Sequence, residues 1–510
     1  MNRRLEKECE SGLEYLLPDY MGDVKKLLTS RARIIPSGKF VSDGSVEVSG
    51  SVEYDLLYLD SSGKLTAVNA TSDYLQSFEV DGESYTDSGE ESIVSALKVR
   101  VTGPRKISLK ADVKTVLTVS EDAEISVEGN AFSDEGREVE KCTAEISFAS
   151  SLFEKSVGHE YAEVLLSLEG TAEDGVVIAS VNAVSKITEA KAGDAEVILK
   201  GENIVSCIML LPEGAPRAVK KAFPFEERIA IEGAREGVNV LPASEVCSAT
   251  VDLSADGEYM SLIANLSVQY GVELIENKTV EVVTDAYTPG CECKNKYSDV
   301  EFSELVKAGC ERFQLTLRCD KTAEKLESVS DVIYVGAELR GVSSEVGDGF
   351  IRFFGDIQSN GVGYETNVDG SITYLPFKIQ SQFDEKVNVD CQNKGKTYLD
   401  AQLYVEDCEA TDEGETLSVR CFVCAKYCLF SNKSARVITL CEADGNGEIL
   451  SEKSTVTVYY PRSGERLFDI AKRYKTTSLK IAKDNELSDS ALASFDSPDS
   501  LVGVKRLVIR

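Results

Sequence analysis

The chain has no tryptophan, four methionines and a single histidine, His159, in 510 residues. With one imidazole available, general acid/base work near neutral pH and most zinc sites lose their usual side chain. The 20 tyrosines and 18 phenylalanines must supply nearly all large aromatic packing. Positive charge is also short, since 55 Lys and Arg stand against 87 Asp and Glu, a formal charge of -32. Nonspecific binding of nucleic acid or anionic lipid is therefore not expected, because phosphate is held mainly by Lys and Arg. No stretch approaches the roughly 18 consecutive apolar residues of a membrane helix, so no membrane insertion is expected. The opening MNRRLEKECESGLEYLL mixes charges with apolar residues where a signal peptide would run apolar. A cytosolic location is the expectation, and the 14 cysteines then read mostly as reduced thiols.

What is present is β patterning. Val46, Val48, Val52, Tyr54, Leu56 and Tyr58 keep to alternate positions, with Glu47, Ser49, Ser51, Glu53 and Asp55 between them. That is a strand with one buried face, closed by a turn at Asp60 to Gly63. Similar segments fill the chain to about residue 458, apart from a helix-like stretch around Met21 to Leu28.

The pattern recurs at long range. Gly50 and Gly63 bracket GSVEYDLLYLDSSG, and Gly201 and Gly214 bracket GENIVSCIMLLPEG 151 residues later. A looser third copy runs from Gly355 to Gly370, and each copy leads into a phenylalanine-bearing acidic stretch. Pairing Tyr270 with Tyr427 overlays a second part of the unit. These repeats predict three related β modules, each too large for a solenoid repeat and expected to own a core. The expected domains are 1–135, 136–300, 301–455 and a tail, 456–510. Tandem β-sandwich or open-barrel-like modules are the predicted form.

The tail switches period. VTVYY (456–460) reads as a strand, Leu467, Ile470, Ala471 and Tyr474 share one helical face, and Leu479, Ile481 and Ala482 mark a second helix that Thr476 or Thr477 can cap. KRLVI (505–509) closes a βααβ order. Tyr460, Ser463, Gly464, Leu467, Ile470, Ala471, Tyr474, Asn485, Gly503, Leu507 and Ile509 fall in order on the motif of a LysM domain, which this segment resembles. Tyr460, Leu467, Ile470, Tyr474 and Ile509 would form its core. Glu465, Arg466, Phe468 and Val502 replace the usual Asp, Thr, Trp and Pro. The resemblance implies a shallow groove for N-acetylglucosamine-containing glycan or peptide, rimmed by Ser463, Gly464, Glu465 and Arg466 on one side and Asn485, Glu486 and Leu487 on the other.

The body carries a second likeness. Residues 21–60 and the phrase VRVTGPRKISLKADV (99–113) resemble the SPOCS domain of endospore-forming clostridia, a repeated module followed there by a LysM. The resemblance implies a noncatalytic scaffold or adaptor in spore coat and cortex morphogenesis. It would act from the mother-cell cytoplasm at the forming spore surface, with a coat scaffold ATPase or other coat proteins as partners. The alternative is a peptidoglycan-binding envelope protein.

Other motifs point to no chemistry. Cys421, Cys424 and Cys428 have C-x2-C-x3-C spacing, but the overlay puts them on Ala264, Ser267 and Gly271, so they read as small core residues. Cys291 and Cys293 sit at a Pro-Gly turn, with Cys310 or Cys319 as conceivable neighbours. His159 lacks a second histidine or a G-x-S-x-G elbow, and the glycine stretches lack the lysine of a phosphate cradle. No catalytic residue, metal or cofactor is expected. The basic segments 32–40 and 103–110 fit either core strands with solvated lysines or contacts to acidic partners.

Overall fold

A computed structural model describes residues 2–42, 44–80, 85–86, 90–121, 139–166, 176–211, 214–256, 259–290, 293–389, 397–443, 456–488 and 495–510. The protein is mainly β, with two short α-helices near the C-terminus. Among the described residues no helix is long and apolar enough to cross a membrane.

The strands are β1 (Asn2–Leu16), β2 (Val24–Ser42), β3 (Ser45–Asp60), β4 (Leu65–Glu79), β5 (Tyr85–Thr86), β6 (Glu90–Gly103) and β7 (Lys106–Glu121). Next come β8 (Glu140–Leu166), β9 (Val177–Ala192), β10 (Glu196–Leu210), β11 (Arg217–Ala230), β12 (Asn239–Asp256) and β13 (Tyr259–Tyr287). The series continues with β14 (Cys293–Asp320), β15 (Asp331–Gly347), β16 (Phe350–Thr366), β17 (Ile372–Asn388), β18 (Thr397–Asp412) and β19 (Thr416–Ala443). One wiring pattern occurs three times. A lone first strand is followed by an antiparallel meander of three, β2-β3-β4, β9-β10-β11 or β15-β16-β17. The chain then returns to pair its last long strand with the first, as in β1-β7, β8-β13 and β14-β19, with β6, β12 or β18 on the far side.

The two sheets of each set face each other across a core. Val52, Tyr54, Leu56 and Tyr58 from β3 meet Ile107, Leu109, Ala111 and Val113 from β7. Val197, Leu199 and Val205 meet Val268, Tyr270 and Val272 in the second set, and Ile351, Phe353 and Ile357 meet Val419, Cys421 and Val423 in the third. Tyr270 and Tyr427 occupy matching places: each is buried on the central long strand, against an aromatic of the opposite meander, Phe225 or Phe353. Polar ends find partners, as where the Tyr54 hydroxyl donates to the Ser11 carbonyl at 2.9 Å.

The repeated glycine has a structural reason. Gly50, Gly201 and Gly355 pair across the ladder with Tyr74, Phe225 and Phe383. Each lies opposite a bulge in the preceding strand, at Pro36/Gly38, at Thr188 and at Arg340/Ser343. The bulge drives a carbonyl toward the glycine, so an added Cβ would sit 2.8 Å from Ile35 O, 2.1 Å from Lys186 O or 3.0 Å from Arg340 O. Only a residue without Cβ fits there.

The expected helix at Met21–Leu28 is absent: the chain turns at 19–21 and enters β2 at Val24. Bulges between Val24 and Lys26 and between Leu27 and Thr29 insert extra residues, which breaks strict alternation and gives the KKLL doublets a helix-like spacing.

Contacts divide the chain into two units. The first comprises Met1–Asp122, Ser150–Glu276 and Leu305–Phe430; the second comprises Ala123–Ala149, Asn277–Glu304 and Ser431–Arg510. Within the first, β4 touches β9, β11 touches β15 and β17 touches β2, so the three meanders contact one another in a closed cycle. Leu57, Ile208 and Val362, which occupy matching places in β3, β10 and β16, meet in one buried cluster. Within the second, Ile146 and Val282 of β8 and β13 pack with Val437 of β19, beside Val300 and Phe302 of β14.

The basic segments are consumed internally. Arg105 donates to the carbonyls of Leu17, Pro18 and Met21 and pairs with Asp23, which fixes the turn before β2. Arg33 pairs with Glu53 and donates to Val246 O at 3.0 Å, and Lys39 and Lys155 both pair with Glu90. Glu245 belongs to this cluster. Burial is the main cause that pushes its carboxyl up to about 7, with Glu90 adding and Lys155 and Arg33 opposing. Between the ordinary value of 4.5 and about 7 the folded chain holds a proton that the unfolded chain has released, so stability is lost as pH rises through that window. Glu245→Gln is expected to leave stability at pH 4.5 unchanged and to raise it by about 1–2 kcal/mol at pH 8 after allowance for solvent screening. Denaturation of both proteins across that range checks it; equal pH profiles would refute the assignment.

Candidate functional site

The tail belongs to the second unit. β20 (Thr457–Tyr459) pairs antiparallel with β21 (Leu507–Ile509), Tyr459 opposite Leu507. Between them lie α1 (Leu467–Arg473), α2 (Ser478–Asp484) and a short 3-10 turn, Pro498–Leu501. Leu467, Phe468, Ile470, Ala471, Ile481, Ala482, Leu507 and Ile509 form the core, as the helical spacing requires. Thr477 caps α2 by accepting from Lys480 N at 3.0 Å. One core expectation shifts by a residue. Tyr459 packs inward beside Tyr474, whereas Tyr460 is 68% exposed, because the ladder register with Leu507 turns the first tyrosine of the doublet toward the helices.

The seven expected rim residues divide by role. Ser463 and Gly464 are exposed at the turn entering α1. The Glu465 carboxylate accepts from Tyr459 OH at 2.7 Å, Arg462 N at 3.1 Å and Arg473 Nη2 at 3.0 Å. Burial pushes that carboxyl up, but these donors outweigh it and hold it below the usual carboxylate range. Arg466 forks onto Asp469 at 2.7 and 2.8 Å and reaches the Cys142 sulfur at 3.2 Å. On the other side, the Asn485 amide donates to Ile481 O at 2.8 Å and Val508 O at 2.7 Å and accepts from Val508 N at 2.6 Å. Glu486 is exposed with φ +52, and Leu487, half-buried against the core, donates its N–H to Ala482 O at 3.0 Å to close the helix end. Thus Glu465 and Asn485 brace the two loops on adjacent rungs of one ladder, while Ser463, Gly464 and Glu486 face solvent.

A set of residues outside the tail completes the picture, and sequence reasoning missed it. Lys472 of α1 pairs with Asp285 of β13 at 2.6 Å, and Asn295 and Tyr297 of β14 donate to the same carboxylate. Glu140 of β8 accepts from Ser478 N at 2.7 Å and Ser478 Oγ at 2.8 Å at the start of α2, and from Tyr287 OH at 2.5 Å. Burial first, and that carboxylate second, push the Tyr287 hydroxyl up. Gly290 N donates to Lys475 O at 2.9 Å, and Tyr287 stands edge-on to Phe468 at 5.1 Å. The helices are therefore docked on the ends of β8, β13 and β14. The one signal in sequence was charge at Arg466, just before α1, and at Lys472 on it, with partners that lie more than 180 residues away.

The remaining candidates lie apart from the tail's rims. His159 is exposed on β8. Cys421, Cys424 and Cys428 are buried, Cys421 in the core of the third set. Cys293 accepts from Thr288 N at 3.1 Å and neighbours Cys441, not Cys310 or Cys319; Cys291 lies outside the described residues. Among the described residues no group of three or more His, Cys, Asp or Glu could hold a metal ion. Two shallow clefts, at Ser37, Gly50 and Tyr74 and at Thr188, Gly201 and Phe225, are the hollows left by the two glycines; both rings are buried and offer no stacking face.

Residues 462–496 match the LysM domain family. This match points to peptidoglycan or another N-acetylglucosamine-containing glycan as the ligand class of the tail. No curated protein and no solved structure matches the chain.

Proposed function

We propose that this chain is a noncatalytic scaffold of the cell or spore envelope whose LysM domain binds N-acetylglucosamine-containing glycan. The observation that carries the reading is the division of labour in the tail. The helix face that meets β8, β13 and β14 is committed to docking, while Ser463, Gly464 and Glu486 on the two rims of a matched LysM domain stay exposed. The resemblance of residues 21–60 and 99–113 to the SPOCS domain supports a finer version. In it the β sets serve endospore coat and cortex assembly from the mother-cell side, with a coat scaffold ATPase or another coat protein as partner.

Titration of the full chain with chitin-type oligomers tests the glycan reading. Saturable binding is expected, weakened at least about tenfold by Ser463→Arg with no change in melting temperature. Absence of saturation with the folded wild-type chain, together with capture of purified coat scaffold protein by the tail, would replace glycan by protein docking. Asn485→Ala is the fold control. It removes two hydrogen bonds to Val508 of β21 and one to Ile481 of α2 and is expected to cost about 2 kcal/mol, read as faster amide exchange across 478–487.

A further inference from the structure

The sheet β14-β19-β18 differs from its two counterparts in holding cysteines in facing pairs. Cys310 on β14 and Cys424 on β19 bring their sulfurs to 2.8 Å, and Cys408 on β18 and Cys421 on β19 to 3.6 Å. The first separation is shorter than the about 3.5–4.0 Å at which nonbonded heavy atoms pack. It leaves less than an ångström of travel to the about 2 Å of a disulfide bond. We propose that Cys310 and Cys424 are a modification site: a dithiol that a peroxide-class oxidant converts into a cross-strand disulfide between β14 and β19.

The two sulfurs are not equivalent. Cys310 is half-buried, whereas Cys424 is fully buried. The hydrogen bond with Cys424 lowers the Cys310 thiol, with Arg312 and Lys426 helping, while burial and Glu406 oppose; Cys424 itself is pushed up by the same contact and by burial. Arg312 is held in place on the same strand face, with Nε 3.0 Å from both Glu406 oxygens, and it also donates to Ile187 O. A half-buried thiol 2.8 Å from a fully buried second thiol, on the same strand as a fixed cation, has the makings of an attacking and a resolving cysteine.

The step balances. The Cys310 thiolate attacks one peroxide oxygen, the O–O bond breaks, and water leaves after proton uptake, giving a sulfenic acid. The Cys424 sulfur loses its proton and attacks the Cys310 sulfur, the S–O bond breaks, and a second water leaves. Two thiols give up two electrons, and one peroxide becomes two waters.

The full chain is treated with limiting hydrogen peroxide, its remaining thiols are alkylated, and its peptides are mapped by mass spectrometry. The expected result is a Cys310–Cys424 link formed before any modification of the unpaired Cys142 and Cys207, with a melting temperature raised by several degrees and restored by a thiol reductant. Cys424→Ala is expected to leave Cys310 as a trapped sulfenic acid that a dimedone-type probe labels, which a merely structural pair would not show. Mapping of the wild-type chain decides the matter even if that variant does not fold. Failure of the link to form in folded protein, or oxidation of Cys310 no faster than of Cys142 and Cys207, would overturn the proposal.

Discussion

Gly201→Ala is expected to destabilise the first unit by about 3 kcal/mol, at the upper end for a single added methyl group. The added Cβ would lie 2.1 Å from the Lys186 carbonyl oxygen and 2.8 Å from the Phe225 ring. The ring could swing aside, but it is buried against Tyr270 at 4.9 Å between centroids. The carbonyl cannot move without undoing the bulge at Thr188, where the register between β9 and β10 shifts. The same substitution at Gly50 and Gly355 meets carbonyls at 2.8 and 3.0 Å. The order of loss should therefore be Gly201, then Gly50, then Gly355. Urea unfolding of the three single variants measures it, and an equal, small loss at all three would show that the bulges relax freely.

Glu140→Ala is expected to have the second large effect, about 3 kcal/mol of the docking between the LysM helices and the strand ends. The carboxylate serves three donors, Ser478 N, Ser478 Oγ and Tyr287 OH. Hydrogen bonds to a charged acceptor contribute about 1.5–3 kcal/mol each, and those donors would be left sharing fewer partners near a buried aromatic contact. Glu140→Gln keeps the shape and one oxygen acceptor, so a smaller loss is expected. Hydrogen exchange supplies the readout: amides of 467–484 should exchange faster in the alanine variant while those of β3 and β10 do not. Unchanged exchange across the helices would mean that the apolar contacts of Phe468 and Tyr287 hold the tail alone.

Much of this architecture could be read from alternation and spacing. β3 announces itself because Val46 to Tyr58 alternate with polar residues, and the 151-residue offset between Gly50 and Gly201 reflects a backbone requirement that recurs in space. The tail was legible because a two-helix core needs apolar residues at helical spacing. Failures came where local pattern and backbone part company. Two bulges gave β2 the look of a helix at Met21–Leu28, and a tyrosine doublet hid which ring, Tyr459 or Tyr460, turns inward. At the candidate site, Asn485 and Glu465 were visible as motif residues, yet their service as braces depends on Val508 and Tyr459, which pattern alone does not single out. Glu140, Asp285 and Tyr287 were out of reach, since each looks like an ordinary strand residue until the tail is laid against it.

The closed cycle of meanders has a further meaning. A ring of three copies with head-to-tail contacts is the arrangement of a cyclic homotrimer, and here one polypeptide supplies all three places. In a homotrimer every substitution appears three times and no position around the axis can differ from its mates. In the fused form each can differ, and they do: leucine, isoleucine and valine share the centre at Leu57, Ile208 and Val362, and among the described residues facing cysteine pairs occur in β14-β19-β18 and not in its two counterparts. Losing one copy would uncover the apolar side chains that the three share at this centre. The covalent link therefore fixes the ratio of the three copies at one to one to one and lets each keep its own residues at equivalent places.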